Sequence, residues 1–300
     1  MKIVILSKGP GNFSTKRLKQ EAIDRGHEVR VVDYAKCYIS VEQDKPRVRY
    51  EGEDISDADV IIPRIASSYT KYGSAIVRQF EMMGVYTTTK SIALVRSRDK
   101  LRCLQILAKS GVGIPKTVFS RETAEIEDVL EQVGGPPVVI KVARGTHGKG
   151  VVLAETRKAA QAVMQAFYVE GVSFLVQEFI TESAGTDIRV FIVGGQVVAS
   201  MKRQSLDDDF RSNLHQGAEG SLVKLTDEEK RTALKAARAM GLQICGVDMV
   251  RSDRGPLILE VNVSPGFGIE KVTGRDVASK IIEYVEKNAK QTHRKDRVGA

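Results

Sequence analysis

The first 90 residues alternate short apolar runs with amphipathic segments, and this pattern restricts the fold more than any other feature of the sequence. Three runs are strand-like: "KIVIL", "HEVRVVDY" and "ADVIIPRI". Two segments have helical periodicity: "STKRLKQEAIDRG" and "YGSAIVRQFEMMG". Strands that alternate with helices at this spacing are typical of a parallel sheet covered on both sides. We therefore predict an α/β N-terminal domain over residues 1–90.

After this domain the pattern changes. "DKLRCLQILAKSG" predicts a helix with Asp99 near its N-terminus and Gly111 at its end. Strands follow at "IPKTVF", "VVIKVA" and "VVLAET". The last third contains hairpins and one clear amphipathic helix, "TDEEKRTALKAARAMG", in which Thr226 and Glu229 have capping-box spacing. Antiparallel strands with helices on one face predict an α+β unit.

The composition is typical of an ordinary soluble protein. Of 300 residues 42% are hydrophobic, and no apolar run approaches the roughly 20 residues of a membrane helix. Three separated cysteines, Cys37, Cys103 and Cys245, without a CxxC pair argue against a zinc or disulfide framework and favour a reducing cytoplasm. The net charge is +8, of which the basic tail 287–300 contributes +4 (five Lys or Arg against one Asp). We expect this tail to be disordered, and the remaining positive charge suits nucleic acid, phosphates or an acidic protein.

The segment "LILEVNVSPG", residues 257–266, carries polar side chains on an apolar strand. Because alternate residues of a strand share a face, we expect Glu260 and Asn262 to point to the same side. The opposite face would carry Leu257, Leu259 and Val261.

"GVDMV" precedes this strand, and the polar turn "RSDRGP" predicts a hairpin between them. With a five-residue loop, Asp248 falls opposite Glu260. Together with Asn262 they would form a patch of oxygen ligands of the kind that Mg²⁺ prefers. The alternative is a set of solvated polar residues on a strand face.

The loop "RGTHGKG" places Gly145, Gly148 and Gly150 between two predicted strands, where backbone N–H groups can approach an anion. It is not a Walker A loop, because Val151 stands where lysine would be needed. A flap over phosphates and an ordinary glycine-rich turn are both compatible with it.

Two lysines are candidates for binding phosphate. Lys141 lies in an apolar strand, where an ammonium group is costly to bury unless it meets an anion. Lys100 lies near a helix start, where the helix dipole does not favour a cation. The alternatives are an edge-strand lysine whose end group reaches solvent and an exposed helix residue.

Further polar groups occur in two segments. "TDIRVFIVGG" puts Asp187 and Arg189 on one strand face, and "FRSNLHQGA" gathers Arg211, Asn213 and His215. Arginine suits phosphate or carboxylate, and structural salt bridges explain either segment equally well. His215 has no nucleophile motif such as GxSxG beside it, so we do not expect it to be catalytic.

Taken in order, "VVIKVARGTHGKG", "LVQEFI", "TDIRVFIVGG", "FRSNLHQGA", "GVDMV" and "LILEVNVSPG" resemble the ATP-grasp ligases, and within them the RimK family of ribosomal protein glutamate ligases. The likeness extends over about residues 90–286, and the N-terminal part resembles the preceding domain of the same family. It implies a pre-ATP-grasp domain over 1–90, a central subdomain with the flap over 91–190, and a C-terminal subdomain with the metal site over 191–286.

The resemblance also implies roles for individual residues. Lys100 and Lys141 would contact the α- and β-phosphates of ATP. Glu178 and Phe179 would offer backbone groups to adenine at an interdomain hinge, and Asp187 would bind the ribose hydroxyls.

Other residues would serve the phosphate end and the metal. Arg211, Ser212 and Asn213 would contact the phosphate end, with Arg211 and Asn262 taking part in catalysis. Two Mg²⁺ ions, for which Mn²⁺ can substitute, would be held by Asp248, Glu260 and Asn262.

The implied activity is that of an ATP-dependent carboxylate–amine ligase. It would activate an acceptor carboxylate as an acyl phosphate and add L-glutamate to the C-terminal tail of a small-subunit ribosomal protein. By resemblance the enzyme would be a dimer or tetramer. The flap carries the basic residues Arg144, His147 and Lys149, which lie where specificity for the acceptor would be set.

Two other functions stay open at this point. One is an ATP-grasp ligase that acts on a small molecule or an amino-group carrier protein. The other is a non-catalytic nucleic-acid-binding protein, suggested by the pI of about 9.3, although only 6% of the residues are aromatic and no RNA- or DNA-binding signature occurs.

Overall fold

The computed structural model describes residues 1–121, 125–143, 150–205 and 219–289. Within these ranges the chain forms nine α-helices, three short 3-10 helices and sixteen strands in four sheets. No helix in these ranges is long and apolar enough to cross a membrane.

The N-terminal sheet is parallel, as the alternating pattern predicts. Its part of the chain contains β1 (Lys2–Leu6), α1 (Phe13–Asp24), β2 (Glu28–Val32), β3 (Cys37–Ser40), β4 (Arg47–Tyr50), β5 (Glu53–Asp54), β6 (Val60–Pro63), α2 (Thr70–Met82) and β7 (Tyr86–Thr87). The strand order is β2-β1-β6-β7, and every pairing is parallel. Leu18 of α1 packs on one face and Phe80 of α2 on the other, so both faces are covered.

A small antiparallel sheet, β3-β4-β5, is inserted between β2 and β6. The sequence analysis did not predict it. Its strands have only two to four residues, so even the alternation of charged and apolar residues in "RVRY" is too short to identify a strand.

The middle of the chain forms an antiparallel sheet with a separate core. Its elements are α3 (Ser91–Arg98), α4 (Lys100–Lys109), β8 (Thr117–Ser120), α5 (Ile126–Gln132), β9 (Val138–Val142), β10 (Val151–Ala154), α6 (Arg157–Val169) and β11 (Phe174–Glu178). The order is β10-β9-β11-β8, and α5 and α6 supply the rest of the core. Asp99 caps α4 by accepting a bond from the Arg102 amide at 2.9 Å, as predicted, and α4 ends just before Gly111.

The last sheet has five antiparallel strands in the order β14-β13-β12-β15-β16. Its elements are β12 (Thr186–Val193), β13 (Gln196–Gln204), β14 (Glu219–Leu222), α7 (Asp227–Met240), β15 (Ile244–Ser252), β16 (Gly255–Asn262), α8 (Gly268–Thr273) and α9 (Val277–Ala289). The predicted capping box of Thr226 and Glu229 is present at the start of α7. The domain division expected at residue 190 lies within β12 and stays a prediction.

The expectation of helices on one face is wrong for this sheet. Val190 and Val247 face α7, whereas Phe191 and Met201 face α9. The apolar side chains of α9 are spaced for burial, and the sequence analysis did not identify the segment as a helix. Both faces of the sheet are therefore buried.

The N-terminal and last sheets share two hydrophobic cores. One core joins Leu6 of β1 to Val190 of β12, and the other joins Ile5 to Phe191. Ion pairs link the same parts: Arg25, which follows α1, donates to Glu286 of α9 with an Nη2 to Oε2 distance of 2.7 Å. The two parts are thus packed as one body, beside which the central sheet has its own core.

We predict that Glu286 stabilises this packing in a pH-dependent way. Hydrogen bonds from Arg25 lower the pKa of Glu286 from 4.5 to about 2, against the opposing effect of burial. A carboxyl with a lowered pKa contributes stability above the pKa of the unfolded chain and loses it as the pH falls toward the folded value. Glu286→Gln should therefore cost about 1–2 kcal/mol at pH 7, and less as the pH falls from about 4.5 to about 2.

Urea unfolding of both proteins across this pH range measures the difference. The matched control is Glu283→Gln, one turn earlier on α9, whose carboxylate pairs with the exposed Lys280 and accepts from Ser279, both on its own helix. A Glu286 effect that is independent of pH would contradict the assignment.

Candidate active site

The β15–β16 hairpin places Asp248 directly opposite Glu260, as predicted. The turn that produces this pairing differs from the expected five-residue loop. Ser252 pairs with Gly255, so the turn has two residues rather than five, and an irregularity of register between Asp248 and Met249 adds the missing residue. That extra residue is Leu259, a β-bulge that restores the predicted pairing.

The bulge corrects the expected division of faces. Ile258 and Val261 are buried in the main core, whereas Leu257 contacts a small separate cluster against which Leu259 packs. The expected common face of Leu257, Leu259 and Val261 is therefore wrong, because a bulge interrupts the alternation by one residue. Bulges are common near active sites, where they re-aim a side chain.

Asp248, Glu260 and Asn262 lie together. The Asn262 amide donates to Glu260 Oε1 at 2.7 Å and to Asp248 Oδ2 at 3.2 Å. Rotating this amide by a half-turn would present its carbonyl oxygen beside the two carboxylates, giving three oxygen donors of the type that Mg²⁺ takes. Within the described ranges, no group of three or more His, Cys, Asp or Glu side chains is placed to hold a metal. The donor set fits Mg²⁺, and its role as a metal site stays a prediction.

Asp248 is buried and held by two arginines. Arg189 donates from Nε to Oδ1 at 2.7 Å and from Nη2 to Oδ2 at 2.5 Å, and Arg203 Nη2 lies 3.1 Å from Oδ2. Burial alone would raise the pKa of Asp248, but Arg189 and Arg203 outweigh it and hold the pKa well below its usual range. Asp248 is therefore ionised and fixed in position.

Arg203 also holds Asp187. Its Nε donates to Asp187 Oδ1 at 2.6 Å and its Nη2 to Oδ2, so the two carboxylates and two guanidinium groups form a buried network without net charge. The ribose role of Asp187 stays a prediction. The sequence analysis missed Arg203. The feature that could have identified Arg203 is its position two residues after the apolar Met201, which puts a charged side chain on the buried face of β13.

Lys100 and Lys141 lie on one cavity with the hairpin residues. The cavity, about 60 Å³, is lined by both lysines, Gln177, Glu260 and Asn262, among others. β9 lies between β10 and β11, so Lys141 is not on an edge strand, and that alternative is excluded.

Lys141 is a strongly perturbed cation. Its Nζ donates to Gln177 Oε1 at 2.6 Å. Burial lowers the pKa of Lys141 to about 8, Glu260 raises it in part, and Lys100 lowers it further. Lys100 Nζ lies 3.4 Å from the Val142 carbonyl oxygen at the end of β9, and burial lowers its pKa as well. Both lysines therefore lie where an anion would stabilise their charged forms.

Glu178 and Phe179 lie where the central sheet leads into the last one. The Glu178 amide donates to the Lys116 carbonyl at 3.0 Å, and the Phe179 amide donates to the Pro137 carbonyl at 3.3 Å. The Glu178 carboxylate accepts from Arg254 in the β15–β16 turn. Their contact with adenine stays a prediction.

Several predicted residues lie outside the described residues. They are Arg211, Ser212, Asn213, His215 and the flap residues Arg144, His147 and Lys149.

The fold is that of the ATP-grasp ligases. Solved neighbours include the ATP-grasp ligase PsnB complexed with minimal precursor, Mg and ADP (TM-score 0.75, 18% identity, 97% of this chain and 98% of that chain). Another is a RimK domain protein ATP-grasp from Sphaerobacter thermophilus (TM-score 0.71, 19% identity, 95% of this chain and 100% of that chain). At such identities these likenesses establish the fold.

The chain belongs to the RimK-like ATP-grasp family. It matches the RimK-like ATP-grasp domain over residues 97–285 and the RimK PreATP-grasp domain over residues 1–94. Curated relatives named "Probable alpha-L-glutamate ligase" include those of Aliivibrio fischeri (54% identity) and Hydrogenovibrio crunogenus (55% identity), each aligned over 99% of both chains. The family expected from the sequence is confirmed.

We predict that Arg203→Met destabilises the fold by about 3–5 kcal/mol, because it removes the buried arginine that pairs with both Asp187 and Asp248. The control is Lys202→Met, the adjacent position on the other face of β13, which should change the free energy of unfolding by less than about 0.5–1 kcal/mol. Urea denaturation measures both. Equal effects of the two substitutions would contradict the role assigned to the buried network.

Proposed function

We propose that this protein is an ATP-dependent α-L-glutamate ligase that joins L-glutamate to the C-terminal tail of a small-subunit ribosomal protein. One observation carries the proposal: Glu260 and Asn262 of β16 line a single cavity with the two perturbed lysines, and the buried Asp248 lies behind them, 3.2 Å from the Asn262 amide. Carboxylate and amide oxygens are ligands that Mg²⁺ prefers, and lysines in this position would have their charged forms stabilised by phosphate. The relatives' names support glutamate as the amino acid.

Lys100 and Lys141 would bind the phosphates of ATP. Burial disfavours their charged forms, and a polyphosphate beside them would favour those forms. Gln177 orients the Lys141 ammonium group, and Thr117 in turn receives a hydrogen bond from Gln177 at 2.9 Å. The lysine is thus positioned before the nucleotide arrives.

Glu260 and Asn262 would hold Mg²⁺, with Asp248 as the third ligand. The ion would neutralise charge on the phosphoryl group as it is transferred. Asp248 already accepts from Arg189, Arg203 and Asn262, which together use most of its acceptor capacity. Turning the Asn262 amide would free one position on Asp248 and supply its own oxygen to the ion.

The reaction would proceed in two steps. An oxygen of the acceptor carboxylate attacks the γ-phosphorus of ATP and ADP leaves, giving an acyl phosphate. The neutral amine of glutamate then attacks the acyl carbon, inorganic phosphate leaves and an amide forms. Arg211 with Ser212 and Asn213 would act at the phosphate end, Asp187 at the ribose, and Glu178 and Phe179 at the adenine.

A peptide acceptor has support among the structural neighbours. PsnB is described in complex with a precursor peptide, PsnA2, and AMPPNP. D-cycloserine synthetase DcsG has the same fold (TM-score 0.72, 17% identity), so the acceptor is decided by experiment rather than by fold. The proposal also includes two Mg²⁺ ions, for which Mn²⁺ can substitute, and a flap at 144–150 that closes over the site. It further includes a dimeric or tetrameric assembly and a cytoplasmic location.

We predict glutamate-dependent turnover. The protein is mixed with ATP, Mg²⁺ and each amino acid in turn, with and without the ribosomal protein, and both ADP release and acceptor mass are measured. Acceptor mass should rise in steps of one glutamate residue only when glutamate is present. ADP release without this mass shift would contradict the proposed acceptor, and no ADP release with any amino acid would contradict the ligase.

A second prediction concerns the metal. Glu260→Gln removes a charged ligand, so ATP turnover at fixed Mg²⁺ should fall, and the Mg²⁺ concentration for half-maximal rate should rise about 10–100-fold. Glu260 is exposed, so thermal stability should not change. Glu228→Gln, an exposed glutamate at the start of α7, is the control and should leave both quantities unchanged. A wild-type Mg²⁺ dependence in Glu260→Gln would contradict the metal assignment.

A further inference from the structure

Arg64 is a half-buried arginine that lies beside the site, and none of the described residues supplies an anion to it. It directly follows β6, and its amide donates to the Leu6 carbonyl of β1 at 2.8 Å. The guanidinium group lies over the Phe267 ring, 5.2 Å from its centroid. In the described part of the chain its guanidinium group has no hydrogen bond or ion pair. The carboxyl ends of parallel strands are where α/β proteins bind ligands.

Arg98, the last residue of α3, is a second cation at this position. Its Nη2 donates to the Ile65 carbonyl at 2.6 Å, next to Arg64. Its Nε is buried and has no hydrogen-bond partner among the described residues. Burial and the neighbouring Arg98 lower the pKa of Arg64 to about 10. Two guanidinium groups of like charge therefore lie close together, an arrangement that an anion would stabilise.

The third group is Ser264, on the loop that leads from Asn262 to Phe267. Its Oγ is buried and has no hydrogen-bond partner among the described residues. The same loop supplies Phe267, on which Arg64 stacks. Burial lowers the pKa of Arg98, and the charge of Glu260 in the proposed metal site opposes this shift, so the cluster borders that site. A ligand bound by the cluster would thus lie next to the reacting groups.

We infer that Arg64, Arg98 and Ser264 bind a substrate carboxylate that does not react. The inference rests on the proposed function, and it adds residues that recognise the substrates. After ligation, glutamate keeps both of its carboxylates, and an acceptor with an acidic tail keeps its side-chain carboxylates. Arginine binds carboxylate through two parallel hydrogen bonds, and a serine hydroxyl adds a third donor. The activated carboxylate, in contrast, belongs at the phosphates near Lys100 and Lys141.

The test measures KM for glutamate and for the acceptor separately, with the other substrate saturating, in the wild type and in Arg64→Gln. One of these constants should rise about tenfold to a hundredfold, the size expected for the loss of one charged hydrogen-bonded pair. Arg64→Lys keeps the positive charge but loses the planar guanidinium group that can donate two parallel hydrogen bonds. The same Michaelis constant should therefore rise by an intermediate factor. A rise for glutamate identifies the incoming amino acid as the source of the carboxylate, and a rise for the acceptor identifies the tail.

Controls separate this role from others. Arg78→Gln removes an exposed arginine of α2 and should leave both constants unchanged. ADP affinity and thermal stability should be unchanged in the Arg64 variants. If Arg64→Gln does not fold, Ser264→Ala tests the same cluster and should raise the same constant by a smaller factor.

The inference is overturned if both Michaelis constants stay at the wild-type value in Arg64→Gln. A fall in ADP affinity in the same variant would then place Arg64 in the nucleotide site. Failure of the proposed function is distinct from this result, because it would appear as absent glutamate-dependent turnover in the wild type.

Discussion

The buried ion pairs of Asp248 with Arg189 and Arg203 hold the rest of the site in place. They join β12, β13 and β15 at one level of the last sheet, and Asp187 completes a network without net charge. Breaking such a network strands a charge in the core, whereas replacing it with apolar groups would be tolerated by the fold. The sheet therefore carries charged groups that a purely structural role does not require, which is the expected signature of a functional site.

Around this network, the packing brings three parts of the chain to the same place. The N-terminal sheet and the last sheet share their cores, so the carboxyl ends of β1 and β6 lie next to the end of β16. The central sheet has its own core and contributes Lys141 from β9. Lys100 reaches the end of β9 from α4. A site at such a junction suits an enzyme that must bring nucleotide, metal and two substrates together.

Much of this could be predicted from local sequence patterns. The parallel N-terminal sheet follows from alternation of strands and helices, and the Asp99 cap and the Thr226 capping box follow from known end signals. The Asp248–Glu260 pair was predicted with a wrong loop length, and the bulge at Leu259 corrected the register. No glycine or proline marks that bulge, so the sequence gives no local sign of it.

Long-range pairs were harder to predict. Arg203 meets two carboxylates on other strands, and Gln177 meets Lys141 across two strands of the central sheet. Arg64 and Arg98 converge only because α3 packs beside the end of β6. Single-sequence periodicity identifies which face a residue occupies, but it does not identify the partner that the tertiary fold places opposite it.

The most direct test of the central claim is anomalous diffraction from crystals of the protein grown with Mn²⁺ and a non-hydrolysable ATP analogue. The account predicts metal density bonded to Glu260 and Asn262, with the analogue's phosphates beside Lys100 and Lys141. Metal and phosphates bound away from the β15–β16 hairpin, with Glu260 and Asn262 still bonded to each other, would contradict it.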